Sequence, residues 1–115
     1  MAYKHVAVDF DKTIAEYESG TFKPGVVGKP IPGAVSFLKA LQTLGFEVII
    51  FSVRAETREG KAAIENWAET YVPGVVSEVT NVKLPRIDAI IDDRAIHFGG
   101  DYKKVMLEIL RRTGE

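Results

Sequence analysis

Lys4-His5-Val6-Ala7-Val8-Asp9-Phe10-Asp11-Lys12-Thr13 decides how this chain folds. A short apolar, β-branched run ends abruptly in two carboxylates spaced two apart, followed by a hydroxyl residue. Strand alternation puts Val6 and Val8 on one face and Ala7 on the other, and delivers Asp9 at the carboxyl end. Open α/β sheets place their ligands at that end. Continued alternation would bring Asp9 and Asp11 to one side, near enough to act on one metal ion or one phosphate. Two carboxylates that close repel each other, so a bound cation is the expected companion. Taken alone, the same residues also suit a structural role, with Asp11 or Thr13 capping a helix or shaping a turn.

Outward from this stretch the pattern alternates between strand and helix. Residues 14–32 are rich in glycine and proline. A turn at Glu18-Ser19-Gly20-Thr21 between Ile14–Tyr17 and Thr21–Lys23 predicts a small hairpin flap beside the acids. Pro30-Ile31-Pro32-Gly33 opens a helix with Val35, Phe37, Leu38, Leu41 and Leu44 at helical spacing, and Gly45 stops it. Phe46–Phe51 is a second strand, apolar enough to be buried on both faces, and it ends in Ser52-Val53-Arg54. A helix from Thr57 to Tyr71 carries Ile64, Trp67, Ala68 and Tyr71 on one face, which marks Trp67 as core. Val75–Val79 is a third strand, and Ile87–Ile91 a fourth that ends in Asp92-Asp93-Arg94. The last helix repeats its apolar positions at Val105, Met106, Ile109 and Leu110. This succession predicts a single three-layer, Rossmann-like α/β domain over residues 1–115 with a mostly parallel sheet.

Composition narrows the function classes. At 115 residues the chain suits one core, and 46% hydrophobic with 27% charged residues describes an ordinary globular protein. The net charge of -1 carries no footprint for nucleic acid or an anionic membrane. The absence of cysteine excludes disulfides, thiol nucleophiles and cysteine-based zinc sites. With no leader-like or membrane-length apolar run, a cytoplasmic location is the default expectation.

Three predicted strands end in groups that phosphate chemistry uses: Asp9 and Asp11, then Ser52, then Asp92 and Asp93, with Lys83 in the loop before the last. A parallel sheet brings these ends to one edge. In this set the chain resembles the haloacid dehalogenase superfamily of phosphohydrolases, over nearly its whole length from Val6 to about Phe98. Val6-Ala7-Val8-Asp9-Phe10-Asp11-Lys12-Thr13 matches that family's first motif, with Lys12 where glycine is common. Ile49-Ile50-Phe51-Ser52 matches the second motif, Lys83 the third and Ile90-Ile91-Asp92-Asp93 the fourth.

The resemblance implies a phosphomonoesterase. Asp9 would be the nucleophile that forms an aspartyl-phosphate, and Asp11 the general acid and then the base for water. Ser52 and Lys83 would bind the phosphoryl group. Mg²⁺ would be held by Asp9, the Asp11 backbone carbonyl and Asp92, with Asp93 as a further ligand or an orienter of Lys83. Arg54, close to a strand end, is the best candidate among the arginines to clamp a second phosphate or a carboxylate of the substrate. The intervals that hold cap domains in larger members are short here, so the resemblance implies a capless enzyme. Its open site suits a macromolecular end, a phosphoprotein or a substrate covered by a neighbouring subunit, and a homo-oligomer fits the last case. A receiver-like signalling module is disfavoured because no acid ends the third strand. A phosphotransferase and a non-catalytic phosphate- or partner-binding scaffold remain as alternatives.

Overall fold

The apolar run that opens the chain forms β1 (His5–Asp9), and β1 takes the centre of the sheet. The computed structural model describes residues 5–17, 22–82, 89–92, 96–97 and 102–113. After β1 come α1 (Ala34–Thr43), β2 (Glu47–Phe51), a short 3-10 turn (Val53–Glu56) and α2 (Arg58–Tyr71). The chain continues through β3 (Val76–Thr80), β4 (Ala89–Asp92), β5 (Ile96–His97) and α3 (Tyr102–Thr113). Among the described residues the strands lie in the order β3-β2-β1-β4-β5, and every pairing is parallel. The fold is α/β and Rossmann-like, as the alternation of elements predicts.

Register explains the core. Val6 pairs with Val48, and Val8 pairs with both Ile50 and Ile91, so these side chains share one face. That face joins Phe37, Leu38 and Leu41 of α1, Ile64 and Trp67 of α2, and Val105 and Ile109 of α3 in one buried cluster. Ala7 and Ile49, which point the other way, are also fully buried. Each fully buried aliphatic side chain contributes roughly 1.5–3 kcal/mol. The polar edge can therefore be shaped for chemistry, because the apolar interior holds the sheet. At the opposite, amino end of the sheet, His5 Nε2 meets Glu47 Oε2 at 2.7 Å across the β1–β2 pair. No helix among the described residues is long and apolar enough to cross a membrane.

The segment after β1 differs from the expected hairpin in its pairing. Ala15 bridges Pro30 in antiparallel sense, the Glu16 N–H donates to the Lys29 carbonyl at 2.8 Å, and the Ile31 N–H donates to the Ile14 carbonyl at 2.9 Å. The expected turn at 18–21 lies outside the described residues. Phe22 and Lys23, the described part of the expected second arm, form no strand. The Lys23 and Pro24 carbonyls instead accept hydrogen bonds from Arg54.

Candidate functional site

The order of the sheet reverses beside β1, with β2 and β3 to one side and β4 and β5 to the other. Ligands of open α/β sheets bind at the carboxyl ends around such a switch point. Asp9 is the last residue of β1 and Asp92 the last of β4, each one position beyond the paired Val8 and Ile91. The backbones of the two acids therefore leave neighbouring strands side by side. Ser52 follows Phe51, the register partner of Asp9, and so occupies the same edge on β2. Lys83 and Asp93 lie outside the described residues.

Beyond Asp9 the chain does not continue as a strand. The Phe10 carbonyl accepts the N–H groups of Thr13, Ile14 and Ala15 at 3.0–3.2 Å, which closes one tight turn. Lys12 sits in this turn with φ 65°, a left-handed conformation that costs a residue with a side chain roughly 1–2 kcal/mol. That backbone explains why glycine suits the position. Phe10 is fully buried and meets Trp67 edge-to-face at 5.1 Å, while the Tyr102 hydroxyl donates to the Thr13 carbonyl at 2.8 Å. Burial pushes the Tyr102 hydroxyl up from its ordinary 10.0 to about 12. The turn is thus fixed from below, and its upper side carries half-buried Asp9 and Asp11 and exposed Lys12. Asp9 Oδ1 accepts the Phe10 N–H at 2.9 Å. The Lys12 ammonium lies 5.7 Å from the centre of the Tyr17 ring.

The exit of β2 is built differently. Ser52 is extended and buried, and its hydroxyl accepts the Arg54 N–H at 3.2 Å, capping the 3-10 turn. The Ser52 N–H donates to the Thr80 carbonyl of β3 at 2.9 Å. Arg54 is only 3% exposed. Its Nε and Nη2 donate to Asp11 Oδ2 and Oδ1 at 2.8 and 2.9 Å, a planar two-point fork. Its Nη1 donates to the carbonyls of Lys23 and Pro24 at 2.8 and 3.0 Å, and the Phe22 ring lies 4.7 Å from the guanidinium carbon. Arg54, expected at the site as an anion clamp, has its guanidinium engaged by Asp11 and by the segment 22–24.

Gly60 makes room for this arrangement. A Cβ there would stand 2.0 Å from the Arg54 carbonyl oxygen, so the first turn of α2 packs directly on the Arg54 backbone. Thr57 caps α2 by accepting the Gly60 N–H at 3.0 Å, and its hydroxyl reaches the Arg54 carbonyl at 3.3 Å. A glycine at the third position of a helix, six after an arginine, is the sequence signal for this contact, and sequence reasoning passed over it. The shallow groove between α2 and β3, lined in part by Glu65, Glu69 and Glu78, runs along the edge strand rather than at the switch point.

The donor set suits a hard cation. Magnesium commonly takes one or two carboxylates and keeps several waters, and acids leaving β1 and β4 side by side can supply that. Among the described residues no three His, Cys, Asp or Glu side chains gather into a self-sufficient metal cluster.

Fold and strand-end acids together define a Rossmann-like α/β protein with a polar site at its switch point. No family model and no curated protein matches the chain. A solved structure described as that of the conserved protein coded by locus from Bacteroides thetaiotaomicron is similar to it at 30% identity and a TM-score of 0.65, covering 96% of this chain and 91% of that one. This chain belongs to the same family as that conserved protein.

Proposed function

We propose that the chain is a magnesium-dependent phosphomonoesterase of the haloacid dehalogenase type, acting in the cytoplasm. The observation that supports this most is the exit of β1 at the switch point, where Asp9 and Asp11 stay half-buried while the polar groups around them are buried and paired. A carboxylate of Asp9 attacks phosphorus, and the bond to the leaving oxygen breaks as the aspartyl-phosphate forms. Asp11 gives the leaving oxygen its proton, then takes one from the water that releases phosphate and restores Asp9. The Arg54 fork uses one lone pair on each Asp11 oxygen, and each oxygen keeps another for this proton. The Ser52 hydroxyl, whose oxygen accepts from Arg54, retains its own proton to donate to a phosphoryl oxygen. Lys83 would neutralise phosphoryl charge. Asp9, the Asp11 carbonyl and Asp92, with Asp93 nearby in sequence, would hold Mg²⁺, which offsets repulsion between nucleophile and substrate when bound.

Hydrolysis of p-nitrophenyl phosphate tests this proposal. Turnover should require Mg²⁺ and should fall by roughly 10³-fold or more in Asp9→Asn, which preserves shape but is no longer an anionic nucleophile. Equal rates for the two proteins would remove Asp9 from the mechanism. Release of inorganic phosphate to water, rather than transfer to an added alcohol, would distinguish hydrolase from phosphotransferase.

A further inference from the structure

We propose that Arg54 is a positioning residue that joins Asp11 and the strap 22–24 into one unit, so that docking of the strap sets the orientation of the Asp11 carboxylate. This rests on the proposed role of Asp11 as acid and base. The fork fixes the carboxylate plane through two hydrogen bonds, which a lysine ammonium cannot do. The same guanidinium holds both strap carbonyls, and Phe22 covers it. Just past the strap, the Val26 N–H donates back to the Lys23 carbonyl at 3.0 Å, so one acceptor serves both the turn and Arg54. The arginine itself cannot shift easily, because the Ser52 hydroxyl holds its N–H and Gly60 packs on its carbonyl.

Exposure points to orientation rather than stabilisation as the purpose. The Arg54 side chain is 3% exposed, whereas that of Asp11 is 20% exposed, so the pair is anchored at the base and open at the acid. Buried ion pairs are poor sources of stability because desolvation consumes most of the attraction. A two-point fork restricts direction, and a group that must meet a leaving oxygen and later a water needs its direction fixed.

The test uses the full chain, with hydrogen exchange of peptides covering 22–28 measured beside steady-state hydrolysis of p-nitrophenyl phosphate with Mg²⁺. Arg54→Lys keeps the charge and loses the fork. It should lower kcat by about 100-fold with little change in KM, and speed strap exchange by about tenfold. Asp11 is joined to the strap through Arg54, so Asp11→Asn should also speed strap exchange. Phe22→Ala should speed it too, with a smaller loss of kcat, and keeps the inference testable if Arg54→Lys does not fold. Strap exchange unchanged in Asp11→Asn would overturn the coupling. A raised KM with unchanged kcat in Arg54→Lys would make Arg54 a substrate ligand and overturn the positioning role. Absence of magnesium-dependent turnover in the wild type would instead overturn the phosphohydrolase proposal and the catalytic meaning of the unit, while the exchange results still decide whether the unit exists.

Discussion

The exits of β1 and β2 stand side by side, with Asp9 opposite Phe51, yet they treat their polar side chains in opposite ways. After β1 the chain turns tightly around one carbonyl and leaves Asp9 and Asp11 half-buried and Lys12 exposed. After β2 it buries Ser52 and Arg54 almost completely and satisfies them with backbone and with Asp11. One exit presents groups and the other holds them. A carboxylate that must exchange protons needs water or substrate within reach, while the group that aims it benefits from packing that leaves no alternative rotamer.

The largest expected stability effect strikes the buried exit. Gly60→Ala would ordinarily stabilise a helix by up to about 1 kcal/mol, but here the new Cβ meets the Arg54 carbonyl. The expected result is a loss of about 2–3 kcal/mol, read from urea midpoints, with faster exchange in the strap. A gain in stability would break the claim that α2 presses on Arg54.

Lys12→Gly probes the presenting exit and should have the opposite sign. Relief of the left-handed backbone, less the extra freedom glycine gains on unfolding, should stabilise by about 0.5–1 kcal/mol. A loss of stability would mean that the contact with Tyr17 outweighs the backbone cost.

An effect confined to high pH, and absent near neutrality, concerns the support beneath the β1 turn. Tyr102 is protonated in both folded and unfolded chains below pH 10, and its hydroxyl is raised to about 12 in the fold. Between those values the unfolded chain binds fewer protons, so stability should fall as pH rises from about 10 to about 12. Tyr102→Phe should show a shallower decline over that window than the wild type when urea midpoints are compared. Identical slopes would show that the Tyr102 hydroxyl is not held by burial.

The presenting exit was more legible in the sequence than the buried one. Apolar periodicity located β1, β2 and the three helices, and Thr57, read as the start of a helix, proved to be its cap. Trp67 is core, 2% exposed, as its place on the apolar face predicts. Continued alternation from Asp9 to Asp11 did not survive, because the Phe10 carbonyl gathers three N–H groups and turns the chain. Arg54 could be seen as close to the edge but not as paired, since its carboxylate partner lies 43 residues away and its other partners are backbone carbonyls without a side-chain signature. The two-residue β5 is too short for any periodic signal. The pairing of the segment after β1 with residues 29–31 escaped notice for a related reason: it depends on Pro30 and its neighbours forming an edge contact rather than on a turn motif.

Beryllofluoride, which imitates a phosphoryl group on an aspartate, tests the central claim most directly. Fluorine NMR of the wild-type chain should show a bound species that requires Mg²⁺ and vanishes in Asp9→Asn. A bound species that persists in Asp9→Asn, or none in the wild type at saturating Mg²⁺, would contradict a site built to carry phosphate on Asp9.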